Sequence, residues 1–247
     1  MGQTFFAGIA DIKWKIEHEY PDVRESMADY ILAGEPETAE EIVFTQEDVQ
    51  SVMEQFPQFE AGYAESDCIY QKIAEMLPMR SCLLMHGAVI TYGESAYMFT
   101  APSGTGKSTH ISLWRKYLGK KVEIVNGDKP IVRVDESGVT VYGTPWGGKE
   151  KWQKNRSAPL AAICLIHRSK ENKITRISPG EYLNELIQQA YLPQKEEEAA
   201  KTLELLDQLM VEVPFYLLEC DMSEGAVQCS FEKLTGFLYT ERRKVEK

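Results

Sequence analysis

The spacing of apolar residues changes character partway along the chain. Residues 5–14 mix apolar and polar positions in loose alternation, with Ile12, Trp14 and Ile16 on one face, and predict a strand. A short strand is expected at 40–45, a turn at 33–37, and helices at 47–56 and 67–77. The second helix rests on Ile69, Ile73, Ala74, Met76 and Leu77. From about residue 80 the pattern becomes strand-rich and then alternating. Strands at 82–92 and 95–100 flank Gly93-Glu94 and read as a hairpin. Ile111, Leu113, Trp114, Tyr117 and Leu118 place a helix over 109–118, ended by Gly119. Further strands are expected at 122–125, at 130–134 with 139–142 as a hairpin, and at 160–166 with 173–177 as a pair. Helices at 181–191 and 196–211, a strand at 213–218 and a helix at 223–239 complete the reading, and the charged tail 241–247 reads as a frayed end.

This pattern is α/β with α+β character: mixed sheets with flanking helices, preceded by a small N-terminal α+β module. The expected division is residues 1–80 as the module and 81–247 as the main domain. The module reads as a packing unit or as an element that selects a substrate or partner. A chain of 247 residues buries a core without metal or disulfide staples. A net charge of −11 argues against nucleic acid as the main partner, because phosphate backbones demand clustered cations. Cys68, Cys82, Cys164, Cys220 and Cys229 form no C-x-x-C pair and read as buried, reduced thiols. No segment is apolar enough to span a membrane, no signal peptide is visible, and Phe6 stands where N-myristoylation wants Ser or Thr. A cytoplasmic protein is expected.

Candidate chemistry begins at Ala101-Pro-Ser-Gly-Thr-Gly-Lys-Ser108, between an apolar strand and an amphipathic helix. Strand, glycine-rich turn, lysine, hydroxyl and helix together grip a polyphosphate. Backbone N–H groups crowd around the oxygens, the helix N-terminus adds positive potential, and the hydroxyl can ligate magnesium. Ala101 replaces the usual first glycine, whereas Ser103-Gly-Thr-Gly-Lys-Ser-Thr109 is intact. The plainer alternative is a Gly-rich turn before an ordinary helix, which the strand and helix context disfavours.

Three other clusters accompany the loop. Asn126-Gly-Asp-Lys-Pro130 puts Asp128 at the exit of an apolar strand, where an acid can hold magnesium or take a proton from an attacking hydroxyl. The same residues are also good Asx-turn chemistry. His86, in Met85-His-Gly-Ala88, is a lone histidine flanked by apolar residues, notable for lying in the strand paired to that of the loop. In Tyr142-Gly-Thr-Pro-Trp-Gly-Gly-Lys-Glu150, two glycines beside Lys149 allow an ammonium to reach a phosphate; a solvated surface lysine is the even alternative.

Taken together, these residues resemble the HPr kinase/phosphorylase catalytic domain, which shares its P-loop core with the phosphoenolpyruvate carboxykinases. The likeness runs through His86-Gly87, the turn at Tyr92-Gly93, Ser103 to Ser108, and Asp128, over about residues 80–135. The remainder resembles a bacterial group of short HPr-kinase-like proteins with Asn-x-Asp-Lys-Pro and Gly-Thr-Pro-Trp-x-Gly-Lys stretches, whose relatives accompany peptide-modification gene sets. The resemblance implies ATP or another nucleoside triphosphate, with Mg2+, as the cofactors. It implies a phosphate cradle of Ser103, Gly104, Thr105, Gly106, Lys107, Ser108 and Thr109; from its own glycine-rich stretch, Lys149 is expected to close over the γ-phosphate. Lys107 then binds the β- and γ-phosphates, Ser108 and Asp128 meet magnesium, Asp128 is the general base and His86 assists beside it. Two adjacent acids of the family are Gly127-Asp128 here, and Thr109 stands where an acid follows the P-loop hydroxyl. Kinase activity without efficient phosphorylase activity is therefore expected. The family's long downstream substrate signature is missing, so HPr is not the expected acceptor. The expected acceptor is a serine of a peptide or protein; a small hydroxylated metabolite, or a nucleotide-binding regulatory module with little turnover, are the alternatives. Family hexamers add a lean toward a homo-oligomer.

Overall fold

The computed structural model describes residues 2–240; the charged tail at 241–247 lies outside them. The chain opens with β1 (Gln3–Ile9), β2 (Ile12–His18), α1 (Pro21–Ser26), β3 (Glu40–Ile42), α2 (Gln46–Gln55) and α3 (Ala61–Met76). Then come β4 (Cys82–Leu84), β5 (Gly87–Tyr92), β6 (Ser95–Thr100), α4 (Lys107–Leu118), β7 (Val122–Asn126), β8 (Ile131–Asp135), β9 (Gly138–Tyr142) and β10 (Ser157–Arg168). The last elements are β11 (Lys173–Ile177), α5 (Leu183–Ile187), α6 (Glu196–Glu212), β12 (Phe215–Cys220) and α7 (Glu224–Thr235). The architecture is mixed α/β. Among the described residues no helix is long and apolar enough to cross a membrane.

The first strands form a three-stranded sheet in the order β1-β2-β3. The single strand expected at 5–14 is in fact a hairpin. Ala10 and Asp11 both take positive φ, 54° and 56°, and fold β2 back so that Ile9 pairs with Ile12. Neither residue is a glycine, so nothing in the apolar pattern announced the turn. α2 starts at a capping box in which Thr45 and Asp48 satisfy each other's backbone N–H groups. Trp14, Ile16 and Tyr30 meet Ile69, Ile73 and Leu77 of α3 and its extension, together with Leu84, Ile131 and Tyr142 of the larger sheet. One apolar cluster thus joins the two sheets.

Among the described residues the larger sheet has nine strands, seven in the path β4-β8-β9-β10-β6-β5-β7, with β12 also on β10 and β11 on β12. Side chains alternate across it: Ala88, Ile90, Tyr97 and Phe99 face α4 and α7, whereas Val89, Ala96 and Met98 face α6. Three sequence expectations change here. The strand expected at 82–92 breaks at Met85-His86, because Met85 N–H turns to Pro130 O (3.0 Å) and His86 N–H to Gln189 O (2.6 Å). β11 pairs with β12 and not with β10, because β12 already occupies that edge of β10 in parallel from Ile163–Phe215 to Arg168–Cys220. The helix expected at 181–191 is a 3-10 turn followed by the short α5. Beyond it, Ala190 bridges Met85 and Tyr191 N–H reaches Leu84 O (2.8 Å), so the sheet claims those backbone groups. As expected, none of the cysteines is bonded to another, and all but half-buried Cys229 are buried.

Glu65 of α3 is fully buried, and its carboxylate accepts the backbone N–H groups of Glu19 (2.8 Å) and Tyr20 (3.0 Å) beyond β2. Glu65→Ala strands two donors, so it should cost about 2–4 kcal/mol in urea unfolding, with Glu65→Gln costing less because one acceptor survives. Equal stability of Glu65→Ala and the unmodified protein would show that this tie is dispensable.

Candidate functional site

Strand register brings the sequence-predicted residues to one end of the large sheet. β5 runs antiparallel to β6 with Gly87 opposite Thr100, so His86 lies beside the exit of β6. β7 runs antiparallel to β5 with Val89 opposite Asn126, so its own exit reaches the same end. The ladder continues as Gly87 N–H bonds Asp128 O at 2.9 Å. β10 is parallel to β6 with Leu165 opposite Thr100, so Arg168 emerges beside the loop that follows β6. Carboxyl ends of parallel strands are where open α/β sheets bind ligands.

The loop Pro102–Gly106 turns at Gly104 (φ 77°) and Gly106 (φ 126°), both in the region that favours glycine. Among the described residues, positive φ outside glycine occurs only at Ala10, Asp11, Ser81 and Lys151. Ala101 therefore needs no glycine, and its methyl group packs in the core beside Phe99 and Ile111. Gly106 is the N-cap of α4 and has no side-chain cap, which leaves first-turn N–H groups for an anion. Ser103 and Gly104 are exposed, Thr105, Gly106 and Ser108 are half-buried, and Thr109 is exposed.

Lys107 is only 6% exposed and donates Nζ to Ala101 O (2.8 Å) and Pro102 O (3.4 Å) of its own loop. Burial pulls its pKa down to about 8; the negative charge of Asp128 opposes this and Lys129 adds to it. The loop has a second brace that the sequence did not announce. Arg168 donates Nε to Thr105 O (2.9 Å) and Nη2 to Gly104 O. In a trans peptide C=O and N–H point opposite ways, so the Gly106 N–H is turned away from Arg168.

Asp128 sits on an Asx turn. The fully buried Asn126 accepts Asp128 N–H (2.9 Å) and Lys129 N–H (2.8 Å) on Oδ1, and its Nδ2 donates to Thr144 O (3.1 Å) and Thr144 Oγ1 (3.0 Å). The turn and the candidate acid are thus one device. His86 Nε2 lies 3.3 Å from Asp128 Oδ1, and Lys129 Nζ 3.5 Å from the carboxylate. Burial alone would raise the Asp128 pKa, but the His86 hydrogen bond and the Lys129 charge outweigh it and hold the carboxyl below its ordinary value. Gly148 (φ 76°) backs onto Asp128, where an added Cβ would meet the Asp128 Cβ at 3.0 Å. Lys149 follows it on the exposed surface.

From the N-terminal part, Tyr70 of α3 packs edge-on against Trp146 (4.9 Å) and Tyr191 (6.3 Å). Burial raises the Tyr70 phenol, helped by the charges of Tyr191, Asp67 and Asp128. Among the described residues no three acidic, histidine or cysteine side chains gather to hold a metal by themselves. A hydroxyl (Ser108) and a carboxylate (Asp128) are hard oxygen donors of the kind magnesium takes.

The family model described as "SynChlorMet cassette protein ScmC" matches residues 65–235. The chain belongs to the ScmC family. The match begins inside α3 and ends with α7, so every site residue of this ScmC family member lies within it. No curated protein matches the chain. Among solved structures, the chain is similar to the HPr(Ser) kinase/phosphatase from Coxiella burnetii, with a TM-score of 0.35 and 10% identity, over 66% of this chain and 99% of that one. This is a weak likeness, of fold alone.

Sequence reading missed Arg168, Asn126, Thr144 and Gln189. Asn126 had a usable signal in its Asx-turn stretch; Arg168 had none, since only strand register brings it to the loop. Arg168→Ala should speed amide hydrogen exchange at Thr105, whose N–H is held by Pro102 O at 3.3 Å, by about tenfold or more, the loss of two hydrogen bonds at about 1 kcal/mol each. Unchanged protection there would show that the brace does not set the loop's conformation.

Proposed function

We propose that this protein is an ATP-dependent kinase that transfers the γ-phosphoryl group to a hydroxyl, most readily a serine of a peptide or protein. The observation that carries this reading is the delivery of Asp128 and the Lys107 loop to one end of the sheet: Gly87, opposite Thr100 at the exit of β6, bonds Asp128 O through its N–H at 2.9 Å. A polyphosphate cradle alone implies binding; a held carboxylate beside it adds a place for a proton. Within the wider P-loop class, the reading extends to the core shared by HPr kinases and phosphoenolpyruvate carboxykinases.

Backbone amides of residues 103–107 and the Lys107 ammonium hold the phosphates of the nucleotide. Lys107 leaves the carbonyls of Ala101 and Pro102 to do so, exchanging them for phosphate oxygens. Ser108 and Asp128 would hold magnesium, which when bound neutralises charge on the phosphates. Asp128 takes the proton as the acceptor O–H bond breaks; a new O–P bond forms, the bond from Pγ to the leaving ADP breaks, and ADP departs. His86 keeps Asp128 oriented. Lys149, on a turn hinged at Gly148, supplies a further charge to the γ-phosphate. Residues 1–80 form the acceptor side, a role supported by Tyr70 packing on Trp146 near Asp128. A small hydroxylated metabolite would use the same base and cradle.

Lys107→Ala should abolish both nucleotide hydrolysis and phosphoryl transfer. Asp128→Asn should leave ATP affinity within about threefold and lower transfer by about a hundredfold or more. Calorimetry with ATP and magnesium, followed by a transfer screen on serine peptides and small alcohols, checks both. Binding without hydrolysis or transfer in the unmodified protein would favour the regulatory module. Normal transfer by Asp128→Asn would remove the base.

The lysine also sets a pH dependence. Its depressed value means that the binding-competent cation is present below pH 8 and lost as the pH rises through about 8. ATP affinity should therefore hold at about pH 7 and fall by about tenfold for each unit above that midpoint. Calorimetric titrations across that range test it, and a flat profile would show that Lys107 is not the group that meets the phosphates.

A further inference from the structure

We infer that Gln189 is the positioning residue of this site: it fixes a proton on His86 Nδ1, so that His86 Nε2 and Asp128 Oδ1 hold one proton between them. The inference deepens the reading of Asp128 as the base and rests on it for its catalytic meaning alone. Gln189 lies beyond α5 and is 4% exposed. Its backbone carbonyl accepts His86 N–H at 2.6 Å, and its side-chain Oε1 lies 2.9 Å from His86 Nδ1. The amide group on its other side is committed: Gln189 Nε2 donates to Glu185 O at 3.3 Å. A carbonyl only accepts, so the NH2 group must face it and the oxygen must face His86. Only a protonated Nδ1 satisfies that oxygen. The ladder around residues 84–86 and 189–191 holds the glutamine in place, through the Met85–Ala190 bridge and the bond from Tyr191 N–H to Leu84 O.

With Nδ1–H committed, Nε2 faces a carboxylate oxygen at 3.3 Å. A bare nitrogen lone pair against a carboxylate would repel, so one proton lies between them. The other charged groups acting on this pair are Lys129, at 3.5 Å from the carboxylate, and Lys107. The buried phenol of Tyr70 feels the Asp128 charge from α3. In the transfer step the acceptor's proton then arrives at a carboxylate already oriented by a fixed ring, and the pair ends with one proton more. A ring released from Gln189 would carry its proton on Nε2 and still donate to Asp128, but no bond at Nδ1 would then hold the ring's orientation against the carboxylate.

Nitrogen-15 NMR of the uniformly labelled full chain, without nucleotide, reads the tautomer through long-range 1H–15N couplings. His86→Gln identifies the His86 signals by their disappearance. The unmodified protein should show a protonated Nδ1, Gln189→Leu should lose it, and Gln189→Glu should regain it, because a carboxyl oxygen can accept the same bond. A bare Nδ1 in the unmodified protein overturns the inference, and this result needs no variant to fold. Retention of the Nδ1 proton in folded Gln189→Leu overturns it equally. In a transfer assay, Gln189→Leu should lower kcat by about a hundredfold with little change in the KM for ATP, and Gln189→Glu should recover most of it. If the unmodified protein transfers nothing, the kinase reading falls, while the NMR result still decides the role of Gln189 on its own.

Discussion

The buried carboxamide of Asn126 is the contact on which the arrangement depends. Its oxygen takes two backbone N–H groups, of Asp128 and Lys129, and its nitrogen gives hydrogens to the carbonyl and the hydroxyl of Thr144. All four bonding capacities of the amide are used. The Thr144 hydroxyl in turn donates to Lys129 O at 2.6 Å. Three segments are thereby locked together: the exit of β7, the acid at position 128, and the start of the glycine-rich stretch after β9. A buried network satisfied at every atom specifies one geometry, whereas a half-satisfied one would be costly.

That lock works because the sheet delivers its parts in register. β5 is sandwiched between β6 and β7 and runs against both, so its entry and their exits coincide. Tight packing keeps the glycine-rich stretch close: a Cβ at Gly143 would lie 2.0 Å from Lys154 O, and one at Gly127 would lie 2.8 Å from Gly147 O. Side chains are excluded there by backbone, which yields less readily than a flexible side chain.

Much of this was legible in the sequence, and the limits have physical causes. β6 and α4 were announced by an apolar run, a glycine-rich turn and helical spacing, because local pattern and burial agree there. The β8–β9 hairpin was likewise visible, with Gly138 at its turn. The break at Met85-His86 was not, because its backbone partners, Pro130 and Gln189, are distant in sequence. The pairing of β11 was misjudged for a similar reason: local pattern says that a strand exists, and only competition for the edge of β10 says which neighbour it takes. Within the site, the loop residues and Asp128 carry composition signals, whereas Gln189 and Arg168 reach it solely through tertiary placement.

The arginine brace on the glycine-rich turn has a consequence for recognition. A turn whose carbonyls are tied to a neighbouring strand is already shaped before any guest arrives, so little chain freedom is left to lose on capture. The guest's selectivity is then decided by fit to a fixed mould, and small anions that cannot span it gain nothing from the mould's flexibility. If a polyphosphate is the guest, as proposed, the lysine must abandon its own carbonyls to meet it, and discrimination between guests rests on whether they repay that exchange.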